Sequence, residues 1–430
     1  MSENSRIRVL TLNCWGLKYV AKNLNERIET IAHELANSDY DIIALQEIWV
    51  FAHFQRVQQR VAKRLPHTKF FYSGALGAGL AIFSRFPIVN TSVHPYSLNG
   101  TPLDVAGGDW FVGKAAANVV VLHPVLGQVQ IFNTHLFAKG GEDGPEYNRA
   151  HRLVNAWEFA KLARQAAELG KYVIALGDFN SIPPTLPMTV ILQHADLKDA
   201  WSVTHPPFDA SLITSPQEAI QKLGITADSP LNSYSAAKPH ARGTWGKRLD
   251  YILYRQPQRP GQTVPILEAV NTKVVFTDLV SGRSFSVSDH FGLEATFEIR
   301  SPSLDDTSQI PPVKLSEITS ATRATTIQAL AACYRRSRER SRTELAVFGL
   351  CIVLLIGVAI GVAWLPHSWI NPIFILFTVF IAWLATTMLY DGYIFGNWEC
   401  NALMNVIEEL EIHGKGQEIL DGQARDTDSI

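Results

Sequence analysis

The apolar residues of the first three hundred positions form short strand-like runs that alternate with helical periods. Residues 7–13 alternate in part and end in an amide. In the predicted strand 41–45, Asp41 is followed by a continuous apolar run, typical of a strand buried on both faces. Apolar residues recur at helical spacing over 25–36 and again over 146–169. The pattern therefore predicts a mixed α and β fold.

Further strand patterns follow the same rule. We predict a hairpin over 79–89 that turns at Arg85-Phe86-Pro87, and additional strands at 115–122, 129–133, 172–176, 249–254 and 291–299. Residues 205–245 are rich in Pro, Ser and Ala without a clear period, as in loops that are functional or disordered. The two halves repeat one layout around Gly140-Gly141, so we expect two mixed sheets packed face to face with helices outside.

The C-terminal part has a different pattern. Residues 345–365 and 372–390 contain no charged side chain, and each stretch is long enough to cross a hydrocarbon core. The connection at 366–371 has room only for a tight turn, so we predict a transmembrane hairpin; the alternative is a buried helical pair. Five arginines precede the first span and none lies in the turn, which favours cytosolic termini: Arg335, Arg336, Arg338, Arg340 and Arg342.

Composition narrows the class of protein. The 430-residue chain carries a net charge of −2, so no global basic field attracts it to nucleic acid, and no nucleic acid is expected as a partner. Its four scattered cysteines suit a reducing compartment rather than a disulfide scaffold. The polar N-terminus runs directly into a strand, and no secretory signal is expected.

Polar side chains gather at the ends of the predicted strands. In Gly177-Asp178-Phe179-Asn180 an acid and an amide follow a buried strand two residues apart, and together they suit a metal-bound phosphate. Alone, such a tetrapeptide is more often a turn, and a lone histidine such as His135 is more often a satisfied core residue. The joint pattern indicates a site of eight residues: Asn13, Glu47, His135, Asp178, Asn180, Asp250, Asp289 and His290.

Seven short motifs occur in the order found in the endonuclease/exonuclease/phosphatase superfamily, which the chain resembles over residues 7–299. They are Leu12-Asn13-Cys14-Trp15-Gly16, Leu45-Gln46-Glu47-Ile48-Trp49, the run from Gly79 to Pro87, Asn133-Thr134-His135, Gly177-Asp178-Phe179-Asn180, Arg248-Leu249-Asp250-Tyr251 and Ser288-Asp289-His290. Within it the chain is similar to neutral sphingomyelinases and most of all to fungal inositol phosphosphingolipid phospholipases C, a likeness that includes the C-terminal hairpin.

The resemblance implies an architecture and an activity. It implies an α+β fold, a four-layer α/β/β/α sandwich of DNase I type over residues 1–300. A linker and basic juxtamembrane segment (301–344), a two-helix transmembrane hairpin (345–395) and a cytosolic tail (396–430) would follow. The expected reaction is Mg²⁺-dependent, phospholipase C-type hydrolysis of inositol phosphosphingolipids or sphingomyelin. The expected location is the endoplasmic reticulum or the mitochondrial outer membrane, with anionic phospholipids as activators near the five arginines.

Residue by residue, the resemblance implies roles for the polar cluster. Glu47, with Asn13, would bind Mg²⁺; His135 and Asn180 would contact phosphate; and Asp250 would orient His290. Asp178 and Asp289 fall at positions that serve the nucleophilic water or a second metal ion. The general base is either His290, which we favour, or Asp178.

Three other functions would use the same scaffold. A DNA nuclease should be basic around the site and lack a membrane anchor. An inositol polyphosphate phosphatase normally carries Trp-Cys-Asp-Arg where this chain has Arg-Leu-Asp-Tyr around Asp250. A non-enzymatic scaffold would require a missing catalytic residue, and none is missing from the motifs.

Overall fold

The computed structural model describes residues 5–105, 107–141, 144–237, 245–259, 261–301, 318–365 and 367–427. The strands, in chain order, are β1 Arg6–Asn13, β2 Ile42–Gln46, β3 His67–Phe70, β4 Ala81–Ser84, β5 Ile88–Pro95, β6 Ala115–His123, β7 Gly127–His135, β8 Tyr172–Asp178, β9 Lys198–Asp199, β10 Asp250–Arg255, β11 Ile266–Val275 and β12 Gly292–Arg300. The helices are α1 Leu24–Ala36, α2 Phe51–Val61, α3 Glu146–Glu168, α4 Leu186–Ala195, α5 Ala200–Thr204, α6 Pro216–Leu223, α7 Ser320–Gly361, α8 Asn371–Leu389 and α9 Gly396–Thr427.

Two six-stranded mixed sheets form the centre of the fold. Their strand orders are β11-β12-β1-β2-β4-β3 and β5-β6-β7-β8-β10-β9. Each sheet contains one parallel pair, β1 with β2 and β7 with β8. Because the carboxyl ends of parallel neighbours meet at one edge of a sheet, the side chains that follow these four strands converge.

The alternation of β8 shows how the layers pack. Tyr172, Ile174 and Leu176 point into the core between the two sheets, whereas Val173 and Ala175 pack under the helices α3 and α4. Helices α1 and α2 cover the outer face of the first sheet in the same way. Both faces of the central strands are therefore buried, and the predicted four-layer α/β/β/α sandwich is confirmed.

The predicted hairpin over 79–89 is wrong. β4 pairs with β2 and β3 in the first sheet, whereas β5 pairs with β6 in the second. Pro87 lacks a backbone N–H, and its carbonyl already accepts the N–H of Leu122 in the second sheet. The Arg85-Phe86-Pro87 turn therefore carries the chain from the first sheet to the second, and the chain returns to the first sheet after β10. The two halves of the fold divide at this turn rather than at Gly140-Gly141.

The C-terminal residues form two very long helices. α7 has 42 residues, and α8 continues through the π-helical turn Tyr390–Phe395 into α9. Both are long and apolar enough to cross a membrane: the most apolar 18-residue segments have mean hydropathies of 3.0 and 2.1. Only 6% of the first segment and 11% of the second is buried inside the protein. This exposed apolar surface favours the predicted hairpin over a buried helical pair. Of the connection at 366–371, Pro366 lies outside the described residues.

The polar halves of the two long helices pack against the sandwich. We call residues 320–344 and 396–410 the stalk. Leu330, Leu403 and Leu410 of the stalk are fully buried in the same hydrophobic core as Trp157 of α3. The stalk, which follows residue 300, therefore completes the core on this side of the sandwich. The end of the catalytic domain at residue 300 stays a prediction. The linker predicted over 301–314 lies, except for Ser301, outside the described residues.

A buried polar cluster, which we call the clasp, joins the stalk to α3. The clasp consists of His151, Cys333, Arg340 and Glu399. His151 Nε2 lies 2.7 Å from Glu399 Oε1, and the Arg340 guanidinium donates to Glu399 Oε2 at 2.8 Å. The Gly100 N–H donates to His151 Nδ1 at 3.0 Å. The clasp thus ties both stalk helices to α3 and to the loop after β5.

Candidate active site

The edge of the second sheet holds three site residues in one row. Asp178 lies beside His135 in the parallel register and opposite Asp250 in the antiparallel register. Gly177 makes the close approach possible, since a Cβ there would lie 2.1 Å from the Thr134 carbonyl oxygen. As a result, Asp178 Oδ2 lies 3.5 Å from His135 Nε2.

His290, just before β12, is held by a buried carboxylate. Its Nδ1 lies 2.8 Å from Asp250 Oδ2, and its Nε2 faces Asp178 Oδ2 at 3.8 Å. Burial alone would lower the pKa of His290, but the charges of Asp250 and then Asp178 outweigh it and raise that pKa well above its usual value. The pair therefore orients the imidazole and stabilises its protonated form, which a general base requires after it has accepted a proton.

Asn13 links the carboxylates of the two sheets. Its Nδ2 donates to Glu47 Oε1 at 3.1 Å and to Asp178 Oδ2 at 3.0 Å, while its Oδ1 accepts the Trp15 N–H. Burial and then the charge of Asp289 raise the pKa of Glu47 to about 7. Burial also raises the pKa of Asp178 to about 6, although the charge of His290 opposes it.

This donor set fits a hard divalent cation. The raised pKa values of Glu47 and Asp178 show that nearby protein cations do not fully compensate the buried negative charge. Carboxylate oxygens are the ligands that Mg²⁺ prefers, and a bound cation would supply the missing charge. Glu47 is the carboxylate to which the resemblance assigns this role. The role of Asn13 as a ligand stays a prediction, because its Oδ1 accepts a backbone N–H here.

Lys114, at the start of β6, is a site residue that sequence reasoning missed. Its Nζ lies 3.1 Å from His135 Nε2, 3.0 Å from Asp109 Oδ1 and 2.9 Å from the carbonyl of Leu136. Burial, followed by the charge of Lys114, lowers the pKa of His135 well below its usual value. No motif of the sequence analysis included Lys114, because this residue directly precedes β6 and follows a loop without periodicity.

A cavity of about 320 Å³ opens beside these groups. Asn180, Asp289 and His290 line it, and so do Lys247 and Asp228, which are paired at 3.1 Å and were not predicted. The Asn180 side chain donates to the Leu136 carbonyl, and its backbone N–H donates to Asp178 Oδ1. The contacts around Asp178 and this cavity bring all eight predicted side chains to one place; their individual roles stay predictions.

Glu47, Asn180 and Asp228 share an unusual backbone conformation. Their φ angles are +54°, +47° and +52°, a left-handed region that non-glycine residues seldom adopt. Such outliers cluster at functional sites, because the surrounding structure must hold them. Asn180 and Asp228 line the cavity, and Glu47, directly after β2, accepts a hydrogen bond from Asn13.

The five arginines do not form one free surface. Arg340 belongs to the clasp: its guanidinium forms an ion pair with the Glu399 carboxylate and lies over the ring of Phe395. Arg336 is exposed but stacks over Tyr147 at 4.3 Å. The prediction of a lipid-binding surface therefore rests mainly on the remaining three, which are exposed on α7: Arg335, Arg338 and Arg342.

Comparison with known proteins agrees with this geometry. The profile of the Endonuclease/Exonuclease/phosphatase family matches residues 10–290. The chain is 36% identical to an inositol phosphosphingolipids phospholipase C of Schizosaccharomyces pombe, over 94% of this chain and 93% of the relative. It is 31% identical to the protein of the same name from Saccharomyces cerevisiae, over 95% and 91%. It is also 31% identical to sphingomyelin phosphodiesterase 2 of Homo sapiens, over 69% and 65%. This chain belongs to the endonuclease/exonuclease/phosphatase family.

Proposed function

We propose that the protein is a sphingolipid phosphodiesterase of phospholipase C type. It hydrolyses the phosphodiester of inositol phosphosphingolipids or sphingomyelin to ceramide and a phosphorylated head group. The observation that carries the hydrolytic activity is the Asp250–His290 pair, whose second ring nitrogen faces a cavity lined by phosphate-competent side chains. The lipid class follows from the names of the relatives, two of which resemble the chain over the C-terminal helices as well.

His290 Nε2 takes a proton from the attacking water in the proposed reaction, while Asp250 holds Nδ1 and stabilises the resulting imidazolium. The water oxygen bonds to phosphorus, the bond from phosphorus to the ceramide oxygen breaks, and that oxygen takes up a proton from solvent, so that ceramide leaves as the alcohol. Asp178 Oδ2, 3.8 Å from the same ring nitrogen, is the second candidate for the base. The two alternatives differ in which group carries the proton once the water has been activated.

The phosphate lies beside the start of β6 and the ends of β7 and β8. Lys114 supplies a buried positive charge and its Nζ donates to His135 Nε2, while the Asn180 amide donates one N–H to the Leu136 carbonyl and has a second N–H for the phosphate. Donors held in place before the substrate arrives stabilise the charge that develops on phosphoryl oxygens. We propose Mg²⁺ as the metal, held by Glu47; when bound, it would supply Lewis-acid polarisation of the phosphate and neutralise part of its charge.

Membrane anchoring fits a lipid substrate. The hairpin leaves the catalytic unit beside the bilayer, which raises its effective concentration at the surface. The exposed arginines Arg335, Arg338 and Arg342 place positive charge on the flank of the first span, which supports cytosolic termini and contact with anionic phospholipids. The endoplasmic reticulum and the mitochondrial outer membrane remain the predicted locations.

Product analysis tests the proposal. The purified full-length chain is incubated in detergent with either lipid, and the products are identified by mass spectrometry with Mg²⁺ present, after EDTA, and after Mg²⁺ is restored. We expect ceramide plus a phosphorylated head group, loss of turnover in EDTA and recovery with Mg²⁺. Free phosphate would identify a phosphatase, cleavage of DNA alone would identify a nuclease, and full turnover in EDTA would contradict the metal assignment.

A further inference from the structure

The stalk determines which end of the catalytic unit faces the membrane. α9 begins directly after the turn that follows the apolar helix α8, so its first residues are nearest to the membrane. His151, near the start of α3, contacts Glu399, and Trp157, further along α3, donates to Glu409 at 2.6 Å. The two helices therefore run in the same direction, and the N-terminal end of α3 faces the membrane.

The catalytic cavity lies at that same end. The loop between β7 and α3 supplies Ala138 and Gly141 to the cavity wall, next to Asn180 and His290. This loop leads into the first turn of α3, the turn that faces the membrane. The cavity is thus carried on the side of the catalytic unit from which a membrane lipid would approach.

The loop after β5 extends further toward the membrane along the second long helix. The Ser97 carbonyl accepts a hydrogen bond from Trp398 Nε1 at 2.8 Å, and the Trp110 ring lies 6.4 Å from the Tyr390 ring. Tyr390 precedes Trp398 by eight positions along one continuous helical segment. The loop therefore follows the helical segment from Trp398 to Tyr390, where the apolar part of the hairpin ends.

Four large apolar side chains are exposed on this loop and on the loop joined to it. Leu103 and Val105 of that loop are 46% and 70% exposed. Tyr72 and Leu76, 64% and 52% exposed, lie on a neighbouring loop. The Leu76 N–H donates to the Phe111 carbonyl at 3.2 Å, which joins the two loops. We call these four residues the seating surface.

We propose that the seating surface inserts into the head-group layer of the bilayer that the hairpin crosses. Apolar side chains gain free energy when they leave water for the boundary between head groups and acyl chains. The surface continues the hairpin through the contact of Trp110 with Tyr390, so one bilayer meets both. Seating would hold the cavity at the depth of the scissile phosphodiester. The inference rests on the proposed function in that it takes a membrane lipid as substrate.

A label that reports lipid contact tests the insertion without reference to catalysis. A polarity-sensitive fluorophore is attached to Val105→Cys of the full-length chain, reconstituted in phosphatidylcholine vesicles with nitroxide-labelled lipid. The matched control is Val125→Cys, at the opposite end of the same sheet and 46% exposed. Cys400→Ser removes the one native cysteine that is not fully buried. We expect quenching at position 105 and little at position 125; equal quenching at both would overturn the proposal.

Kinetics then test whether seating matters for turnover. The double variant Leu103→Asp/Val105→Asp should lose at least tenfold in kcat/KM on vesicle-embedded sphingolipid and keep its rate on a water-soluble short-chain phosphodiester. Leu122→Asp/Val125→Asp, on the control end, should retain both rates. Equal losses on both substrates would contradict a role in seating. If position 105 is quenched but neither lipid is hydrolysed, the proposed function fails and the membrane surface stands.

Discussion

The active site and the clasp are built from similar residues but differ in what the fold leaves available. In the active site, ligand atoms of Asp178, Asp250 and His290 lie within 4.8 Å of one another; in the clasp, those of His151, Cys333 and Glu399 do. Both groups are largely buried, and each pairs a histidine with a carboxylate. The difference lies in hydrogen bonding and in charge.

The hydrogen bonds leave His151 with no ring nitrogen to spare. Its Nδ1 accepts the Gly100 N–H, so Nε2 carries a proton and donates it to Glu399. A metal ion would need one of these nitrogens, and the neighbouring charge of Arg340 would repel it. His290, by contrast, uses only Nδ1 for Asp250 and presents Nε2 to the cavity.

Charge balance separates the two groups further. Burial alone would raise the pKa of Glu399, but the hydrogen bond from His151, together with the charge of Arg340, outweighs it and lowers that pKa. In the active site the pKa values of Glu47 and Asp178 rise instead, to about 7 and about 6. A buried group whose charges are matched holds segments together, whereas one with excess negative charge is suited to binding a cation and substrate.

The largest difference should appear when each histidine is removed. We expect His290→Ala to lower turnover about 10³-fold, since it removes the proposed general base, and also to lower the melting temperature, because it leaves the buried Asp250 carboxylate without its partner. His151→Ala should lower the melting temperature and keep most of the turnover per folded molecule. Thermal unfolding and single-substrate kinetics of the detergent-solubilised chain would measure both. If His151→Ala lost activity without losing stability, the clasp would belong to the catalytic machinery.

The next prediction removes the excess charge. Asp178→Asn should lower turnover at least ~10²-fold. It should leave stability equal or raised, because one buried carboxylate with an elevated pKa is replaced by a neutral isostere. Urea unfolding followed by tryptophan fluorescence would give the change in stability. A clear destabilisation by Asp178→Asn would show that the carboxylate is structural and the charge argument wrong.

The sequence alone predicted that the eight polar side chains would lie together, because these residues are found at or near the ends of strands. Asn13, Glu47, His135 and Asp178 come at or just after the carboxyl ends of two apolar parallel pairs, a position that strand patterns predict. The sequence analysis missed Lys114 because this residue lies before β6, after a loop without periodicity. The same lack of pattern hid the change of sheet at Pro87, since a strand–turn–strand pattern does not tell which sheet each strand joins.

The clasp could not be predicted in this way. Its partners His151 and Glu399 are 248 positions apart and sit on helices, where a single polar residue in an apolar face is indistinguishable from a surface residue. From the sequence, the first part of the stalk is also indistinguishable from a charged flank of the membrane span, because it contains the five arginines from Arg335 to Arg342. Only the packing of Leu330 and Leu403 onto α3 shows that this segment belongs to the core.

A smaller effect should come from breaking the charge match of the clasp. Glu399→Gln removes the carboxylate that receives hydrogen bonds from His151 and Arg340. We expect a loss of about 2 kcal/mol in the free energy of unfolding, typical of a buried group left without its charged partner. Glu411→Gln, which removes an exposed carboxylate from the same helix, should change it by less than about 0.5 kcal/mol. Equal effects of the two variants would show that the clasp contributes no net stability.

The smallest effect, a pH dependence of the Glu399→Gln difference, tests charge balance most directly. Because the folded-state pKa of Glu399 is lowered, its stabilising contribution is present above the unfolded pKa of about 4.5 and is lost as pH falls through the folded value. The stability gap between wild type and Glu399→Gln should therefore be full near pH 7 and narrow below about pH 4.5. In a His151→Gln background the gap should be smaller at neutral pH, since that hydrogen bond is the first of the interactions that lower the pKa. A stability difference that stays constant with pH would mean that the packing of Glu399, and not its charge, stabilises the fold. The contrast with the active site would then rest on hydrogen bonding alone.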